Sequence, residues 1–343
     1  MSKKPSGAAG VYPLAPILFE QVYPLYGISD IRGSSDERNR AIQQDLLCQF
    51  GLALAVINTV CATVKNALIQ QLRLDIVDHM ATLEQGITVD AEVTLLRYLQ
   101  TEIEAHFPSL TQICPGAREA IQQYQVALDA DHGCVYAARA EYDQTIGHIN
   151  ELLRDTWHQW QQSMQAITRH YCDLDATDGI DHMIYAGRAI DPSFTEFQLK
   201  SLRYEQLRAM CDCARQGFAL KARQDINMGI THLVLVQALT VDIIHDEKTE
   251  HLFDVQGSRD TRYEIVKKRI DKARDGETGE RITQPGRLTV VYSAAEEWRE
   301  YRQYLQYLHR EGLVQDAIEQ GTVEPLQGVS GLKYARVQVL PKT

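Results

Sequence analysis

The fold is decided by one stretch near the start of the chain, Val22-Tyr23-Pro24-Leu25-Tyr26-Gly27-Ile28-Ser29-Asp30-Ile31-Arg32-Gly33-Ser34-Ser35. Its apolar first half predicts a strand, and a long helical pattern begins at Ser34. A carboxylate at the end of a strand can hold a hard cation, and free N–H groups at a helix start can hold phosphate oxygens. Asp30 is therefore the predicted metal ligand, with a helix-entry cap as its alternative role. The predicted phosphate-binding residues are Ile31, Arg32, Gly33, Ser34 and Ser35.

Composition narrows the class of protein. The chain has 343 residues, of which 44% are hydrophobic, so it can form one large domain or two ordinary ones. A net charge of −11 argues against a general nucleic-acid-binding surface. We find no run of 18 or more apolar residues and predict no membrane insertion. The seven scattered cysteines, together with a polar N-terminus that lacks a secretory signal, predict a cytoplasmic protein with reduced thiols.

The hydrophobic period changes twice along the chain. Residues 1–10 are a predicted disordered tail, 11–36 are predicted to be extended up to the helix start, and 37–170 carry the helical period of a bundle. After His170, strands are predicted at 180–190, 231–236, 286–293 and 332–340, with a hairpin over 240–255. Helices are predicted at 195–224, 262–274 and 294–312. Strands and helices that alternate around an antiparallel hairpin indicate an α+β fold.

Several segments, taken in order, resemble a known family. They are Ile28–Gly33, Thr231–Asp242, Tyr263–Ala273 (YEIVKKRIDKA), Thr283–Val290 (TQPGRLTV) and Leu326–Val337. Together they resemble the catalytic domain of class III nucleotidyl (adenylate/guanylate) cyclases, and they are also similar to the C-terminal region of large bacterial GAF-domain proteins. The resemblance implies a ferredoxin-like α+β sheet made of 11–36 and 171–343, with 37–170 as a large helical insertion.

The resemblance also implies two-metal phosphoryl chemistry on a nucleoside triphosphate. Asp30 and Asp181 would hold Mg²⁺ or Mn²⁺, with Asp178 as the second choice for the latter position. Arg269 matches the family's catalytic arginine, and Lys268 and Lys272 would contact phosphate from the same helix. The site would form between the two subunits of a homodimer. The alternative for this basic segment is a solvated helix face, and for Asp181 it is a surface turn.

Three departures from the family pattern leave catalysis open. Ile265 stands where the family has a ribose-orienting Asn, Gln327 replaces a Lys, and no pair of residues for reading a purine edge is identifiable. If the protein is an enzyme, it is a nucleotidyl cyclase, a phosphorus–oxygen lyase. The sequence thus predicts a divergent cyclase-like signalling domain that binds a nucleotide with Mg²⁺. The alternative is a non-catalytic regulatory module whose helical bundle binds a protein partner.

Overall fold

The computed structural model describes residues 17–88, 90–223, 228–245, 253–256, 266–267, 269–326 and 329–342, with the backbone alone at 223, 254 and 256. They form two compact units. The α/β unit combines the described parts of Met1–Arg32 and Ile149–Thr343, and the helical unit is Gly33–His148. The division thus lies at 32/33 and 148/149, whereas the sequence pattern predicts boundaries at 36/37 and 170/171. The predicted tail, 1–10, lies outside the described residues.

The α/β unit is built on a mixed open sheet. Its described strands are β1 (Ile17–Arg32), β2 (Tyr171–Thr177), β3 (Gly179–Ala186), β4 (Gly229–Leu235), β5 (Val241–His245), β6 (Asp254–Gln256), β7 (Arg287–Tyr292), β8 (Val314–Thr322) and β9 (Lys333–Val339). The main path is β2-β3-β1-β4-β7-β9-β8, and β5 pairs with both the start of β1 and β6. Because β4 and β7 are parallel while β1 is antiparallel to its neighbours, the predicted α+β class is confirmed.

Strand β1 lies at the centre of this sheet, and its two faces differ. Asp30 pairs with Thr231 of β4, which confirms that this stretch belongs to the same sheet as 231–236. Side chains alternate between faces along a strand. Ser29 contacts Met210 of helix α7 (Glu196–Arg223), so α7 covers the face that carries Gly27 and Ser29. Asp30 and Tyr26 lie on the opposite face, where Tyr26 is packed in a core with Ile270, Ile282 and other apolar side chains.

A tight hairpin fixes the register of β3 against β1. Gly179 has φ 128°, and a Cβ at this position would lie 2.0 Å from the backbone oxygen of Ser29, so only glycine fits. Asp178 is the one residue between β2 and β3. The resulting register places Asp181 directly opposite Ile28 and Gly179 opposite Asp30.

The helical unit contains the segments predicted as a bundle. Its described α-helices are α1 (Ser34–Thr63), α2 (Ala67–Glu84), α3 (Ala91–Tyr98), α4 (Phe107–Ile113) and α5 (Arg118–Ala127), together with the first part of α6 (Ala137–Gln165). By length and composition alone α1 could cross a membrane, a test that the core helix of a soluble protein also passes. Its side chains Leu46, Phe50 and Ile57 are fully buried in the core of the unit. The absence of membrane insertion stays a prediction.

Three elements differ from the sequence expectation. Strands β2 and β8 were not predicted, and the predicted helix over 262–274 is not continuous where it is described. Residues 266–267 are helical, Ile270–Lys272 form a single 3₁₀ turn, and Arg274 already pairs with Arg281 in an isolated β-bridge. The final predicted helix is α8 (Ala295–Arg310).

Candidate functional site

The two predicted metal ligands lie on the same face of neighbouring strands. Asp30 is opposite Gly179, and Asp181 is two residues further along β3. Such diagonal neighbours have Cα atoms about 7–8 Å apart, a separation that two carboxylates can bridge through cations. The Tyr26 hydroxyl donates a hydrogen bond of 3.2 Å to Oδ2 of Asp181. The register of the β2–β3 hairpin therefore brings together the two carboxylates that the resemblance selects.

Asp30 sits among both negative and positive charges. Burial raises the pKa of its carboxyl group, and the nearby carboxylates of Asp271 and Asp178 raise it further. Arg32 and Lys272 act in the opposite direction and lower this pKa, without cancelling the rise. The ionised carboxylate is thus under-compensated in the folded chain. A divalent cation would supply the missing positive charge.

Arg32 lies on the same face as Asp30, but part of its guanidinium is already engaged. Its Nη2 donates to the backbone oxygen of Thr283 at 3.2 Å and to the hydroxyl of Thr283 at 2.7 Å. Burial lowers its pKa, and so does the positive charge of Arg281, whereas Asp30 and Asp271 raise it. Because these hydrogen bonds orient the guanidinium beside Asp30, the remaining N–H groups of Arg32 could meet a phosphate.

The predicted phosphate-binding backbone at the strand–helix junction is only partly available. The backbone amide of Ile31 donates a hydrogen bond of 2.9 Å to the backbone oxygen of Asp178 and is therefore already satisfied. Gly33 adopts φ 87° and is the N-cap of α1, with no side-chain capping bond. Ser34 is itself the first residue of α1, so its side chain does not occupy the N-cap position.

The first turn of α1 also carries charge of the wrong sign for phosphate. Asp36 and Glu37 lie in this turn, where a carboxylate is favoured by the helix dipole and competes with any other anion. Ser35 is exposed and Ser34 is buried. Of the segment Ile31–Ser35, Arg32 is the residue that the structure places in the environment of Asp30.

The basic segment contributes different residues from those expected. Lys272 is the last residue of the 3₁₀ turn, and its positive charge lowers the pKa of Asp30. Nζ of Lys267 lies 5.4 Å from the centre of the Tyr26 ring. Arg269 is exposed. Lys268 lies outside the described residues. Lys272 lies in the 3₁₀ turn Ile270–Lys272 and not in the continuous α-helix expected to present it, and Ala273 is already extended.

Sequence reasoning overlooked several members of this site. Tyr26 could have been found, because alternation along β1 puts it on the face of Asp30 and four residues away. Asp271 could not have been found, because nothing local in the sequence shows that it approaches Asp30. Among the residues that the structure describes, no group of three or more His, Cys, Asp or Glu side chains is arranged to hold a metal ion. A metal at Asp30 and Asp181 would therefore need further ligands from a bound phosphate or water.

Comparison with known proteins adds no assignment. No protein-family model matches the chain, and no curated protein matches it significantly.

Proposed function

We propose that the α/β unit is a divergent nucleotidyl-cyclase-like module of a cytoplasmic signalling protein, which binds a nucleoside triphosphate together with Mg²⁺ or Mn²⁺. The observation that carries the proposal is the register of β1 and β3, which aligns Asp30 and Asp181 diagonally on one face. These two carboxylates would hold the metal. Lys272 and Arg32, whose charges act on Asp30, would meet the phosphates of the nucleotide.

The order of the strands supports the family resemblance. Strands β2, β3, β1 and β4 are neighbours in that order, with β1 antiparallel to both β3 and β4. With helices between β1 and β2 and α7 between β3 and β4, this is the order of a ferredoxin-like βαββαβ unit. Helix α7 covers one face, and Asp30 lies on the other. A cyclase-like fold would place its metal-binding carboxylates on the face opposite these helices.

The charge distribution supports cation binding in particular. Because burial and Asp271 raise the pKa of Asp30, the folded chain holds a carboxylate whose ionised form it disfavours. Divalent Mg²⁺ is coordinated by one or two carboxylates plus phosphate oxygens in many nucleotide sites. A metal-bound triphosphate would supply both the cation that Asp30 lacks and the anion that Lys272 and Arg32 can bind.

We propose that the site binds a nucleotide, and we expect its catalytic turnover to be slow or absent. The family's ribose-orienting Asn is Ile265 here, and an apolar side chain cannot accept or donate a hydrogen bond. Ile265 and Gln327 both lie outside the described residues. Arg269 is exposed and is proposed to reach the site of a second subunit, so the functional form would be a homodimer. Light scattering would give twice 38.9 kDa for that dimer.

Thermal shift measurements of the full chain test the proposal. ATP and GTP are added with Mg²⁺, with Mn²⁺ or with EDTA. A nucleotide at 100 times its Kd stabilises the native state by about 2.7 kcal/mol, which corresponds to roughly 5–11 °C for a unit of this size. We expect this shift with metal present, and its loss in the Asp30→Asn and Asp181→Asn variants. Asp316→Asn is the matched control, because Asp316 is an exposed carboxylate on β8, at the far end of the sheet from β2.

The outcome separates the two candidate functions. A metal-dependent shift that Asp316→Asn keeps and Asp30→Asn loses supports the nucleotide site. If no nucleotide shifts the wild type with any metal, the nucleotide proposal fails and the alternative, a module whose helical bundle binds a protein partner, becomes the better account. Chromatography of the same mixtures for cyclic nucleotide and pyrophosphate then measures turnover, which we expect to be undetectable or slow.

A further inference from the structure

The helical unit contains an open cleft that the nucleotide proposal does not use. Its volume is about 720 Å³, which falls within the range of small-molecule sites. The cleft lies along α4 and α5 and is also lined by Glu104, three residues before the start of α4. All of its lining residues, from Glu104 to Leu128, belong to the helical unit.

One carboxylate on the cleft is held in place but has no cationic partner. The Tyr124 hydroxyl donates to Oε1 of Glu104 at 2.6 Å, and Nε2 of Gln49 lies 3.5 Å from the same oxygen. Gln49 also donates to the Tyr124 hydroxyl at 2.9 Å and accepts from the amide of Val135 at 3.0 Å. No ion pair to Glu104 occurs among the described residues. A half-buried negative charge therefore faces the cleft with only neutral donors behind it.

The proton of Tyr124 stays on its hydroxyl, which fixes the direction of this hydrogen bond. Burial raises the pKa of the Tyr124 hydroxyl, and its hydrogen bond to Glu104 raises it further. Tyr124 is fully buried, so the donor that orients Glu104 cannot turn toward solvent. Among the described residues no hydrogen bond reaches the second carboxylate oxygen of Glu104, Oε2, so that oxygen can meet a ligand.

The backbone is irregular at the point where it presents Glu104. Leu99–Ile103 form a π-helical turn, and Glu104–His106 follow as a 3₁₀ turn. Such interruptions within a helical region are uncommon and concentrate at functional sites. Here the flanking side chains Leu99 and Ile103 are fully buried and anchor the turn, so the irregularity is built into the core.

The walls of the cleft define the chemistry of the ligand. Phe107, Ile121 and Leu128 provide apolar surface, and the Phe107 ring packs edge-on against Tyr124 with centroids 5.1 Å apart. The lining also includes one cation, Arg118, which is exposed and forms no ion pair with Glu104 among the described residues. We propose that this cleft binds a small organic ammonium compound with an apolar body. Its ammonium group forms a charge-assisted hydrogen bond with Glu104, and its apolar body lies against Phe107, Ile121 and Leu128. The ligand class thus differs from the nucleotide proposed for the α/β unit.

Isothermal titration calorimetry of the full chain tests the proposal with three probes that share a phenyl ring. They are phenethylamine, phenylalanine and 3-phenylpropionate, which present an ammonium, an ammonium plus a carboxylate, and a carboxylate alone. We expect phenethylamine to bind and 3-phenylpropionate not to bind. Glu104→Gln keeps an acceptor for the Tyr124 hydroxyl and should weaken phenethylamine about tenfold or more, as loss of a hydrogen bond to a charged group does.

Two further variants keep the result interpretable. Glu119→Gln is the matched control, because Glu119 is exposed on α5 and does not line the cleft. Gln125→Trp fills the cleft from an exposed position and leaves Glu104 unchanged, so it should also abolish binding. The proposal is overturned if phenethylamine does not bind, if only 3-phenylpropionate binds, or if Glu104→Gln and Gln125→Trp, each folded by circular dichroism, bind phenethylamine as the wild type does.

Discussion

Lowering the pH from 7 to 5 should destabilise the α/β unit, because two histidines behind β1 are buried in their neutral form. His182 and His232 are fully buried. Burial lowers the pKa of each imidazole from 6.5 to about 3, and the charge of Lys267 adds to the effect on His182. Nε2 of His182 meets the Gln206 amide at 2.9 Å, and Nδ1 of His232 meets the Ser29 hydroxyl at 2.9 Å. These neutral partners do not stabilise an imidazolium as a carboxylate would.

The size of the effect follows from proton linkage. In the unfolded chain each imidazole takes up a proton as the pH falls through about 6.5, whereas the folded chain resists until about 3. The unfolded state binds more protons in that window, so the free energy of unfolding falls with the pH inside it and is unaffected above it. At about 1.36 kcal/mol per pKa unit, going from pH 7 to 5 costs about 2 kcal/mol per histidine. The pair costs about 4 kcal/mol, a large part of a typical domain stability of about 5–15 kcal/mol.

Urea unfolding followed by tryptophan fluorescence measures this loss selectively. All three tryptophans, Trp157, Trp160 and Trp298, lie in the α/β unit. The Trp157 ring lies against the His182 ring, with centroids 3.8 Å apart and the planes tilted by 37°. His182→Gln and His232→Gln should each remove about half of the difference between pH 7 and pH 5. His158→Gln is the control, because it removes an exposed imidazole from the same unit. The reasoning is refuted if the wild type loses less than about 1 kcal/mol, or if both variants keep the full pH dependence.

Three further perturbations test the packing and the charges. Gly27→Ala should destabilise the α/β unit by about 1–3 kcal/mol in urea unfolding, because the added Cβ would lie 2.4 Å from Cε1 of His182. Adding His182→Ala should recover part of that loss, and additive losses in the double variant would contradict the clash. Arg139→Ala should destabilise the helical unit by about 3–5 kcal/mol, because the buried guanidinium forms ion pairs with Asp45 at 2.8 Å and with Glu92 at 2.6 Å. Melting followed by circular dichroism measures the loss, and full stability in Arg139→Lys would contradict the need for a planar donor. Asp30→Asn should raise the melting temperature measured by calorimetry at neutral pH without metal, because the raised pKa of Asp30 means that its ionised form is disfavoured in the folded state. A lower melting temperature would count against the charge argument.

The central strands could be predicted from sequence, and the edge strands could not. Residues Thr231–Val236 and Gly286–Ser293 are apolar runs because β4 and β7 are covered on both faces. Strands β2 (YCDLDAT) and β8 (VQDAIEQGT) stand at the two ends of the main path and bury little, so their sequences carry acids and lack a clear alternation. Charged residues are typical of edge strands, where they block pairing with other chains. The same acids make such a strand resemble a loop.

The candidate site could be predicted only as far as local patterns reach. Alternation along β1 places Tyr26, Asp30 and Arg32 on one face, and the strand predicted over 180–190 contains Asp181. The approach of Asp271 and Lys272 to Asp30 spans about 240 residues of sequence and depends on a 3₁₀ turn that ends a helical pattern early. The hydrogen bond from the Ile31 amide to Asp178 is equally non-local, and it removes one donor that the sequence offered to a phosphate.

Strand β1 carries polar side chains on both faces, which the stability of an interior strand does not need and which a functional site would explain. One face has Ser29 against a buried histidine, and the other has Asp30, whose ionised form the folded chain disfavours. Apolar residues would make a more stable strand. Local departures from stability of this kind concentrate at functional sites, although structural charge networks also produce them.

One variant, Asp30→Asn, distinguishes those two origins when it is measured twice. If Asp30 serves a metal-bound ligand, the substitution stabilises the chain without ligand and removes the metal-dependent nucleotide shift. If Asp30 instead serves only a structural charge network with Arg32 and Lys272, the substitution lowers the melting temperature and leaves any nucleotide shift unchanged. The two accounts predict opposite signs for the first measurement and opposite results for the second, so a single protein preparation decides between them.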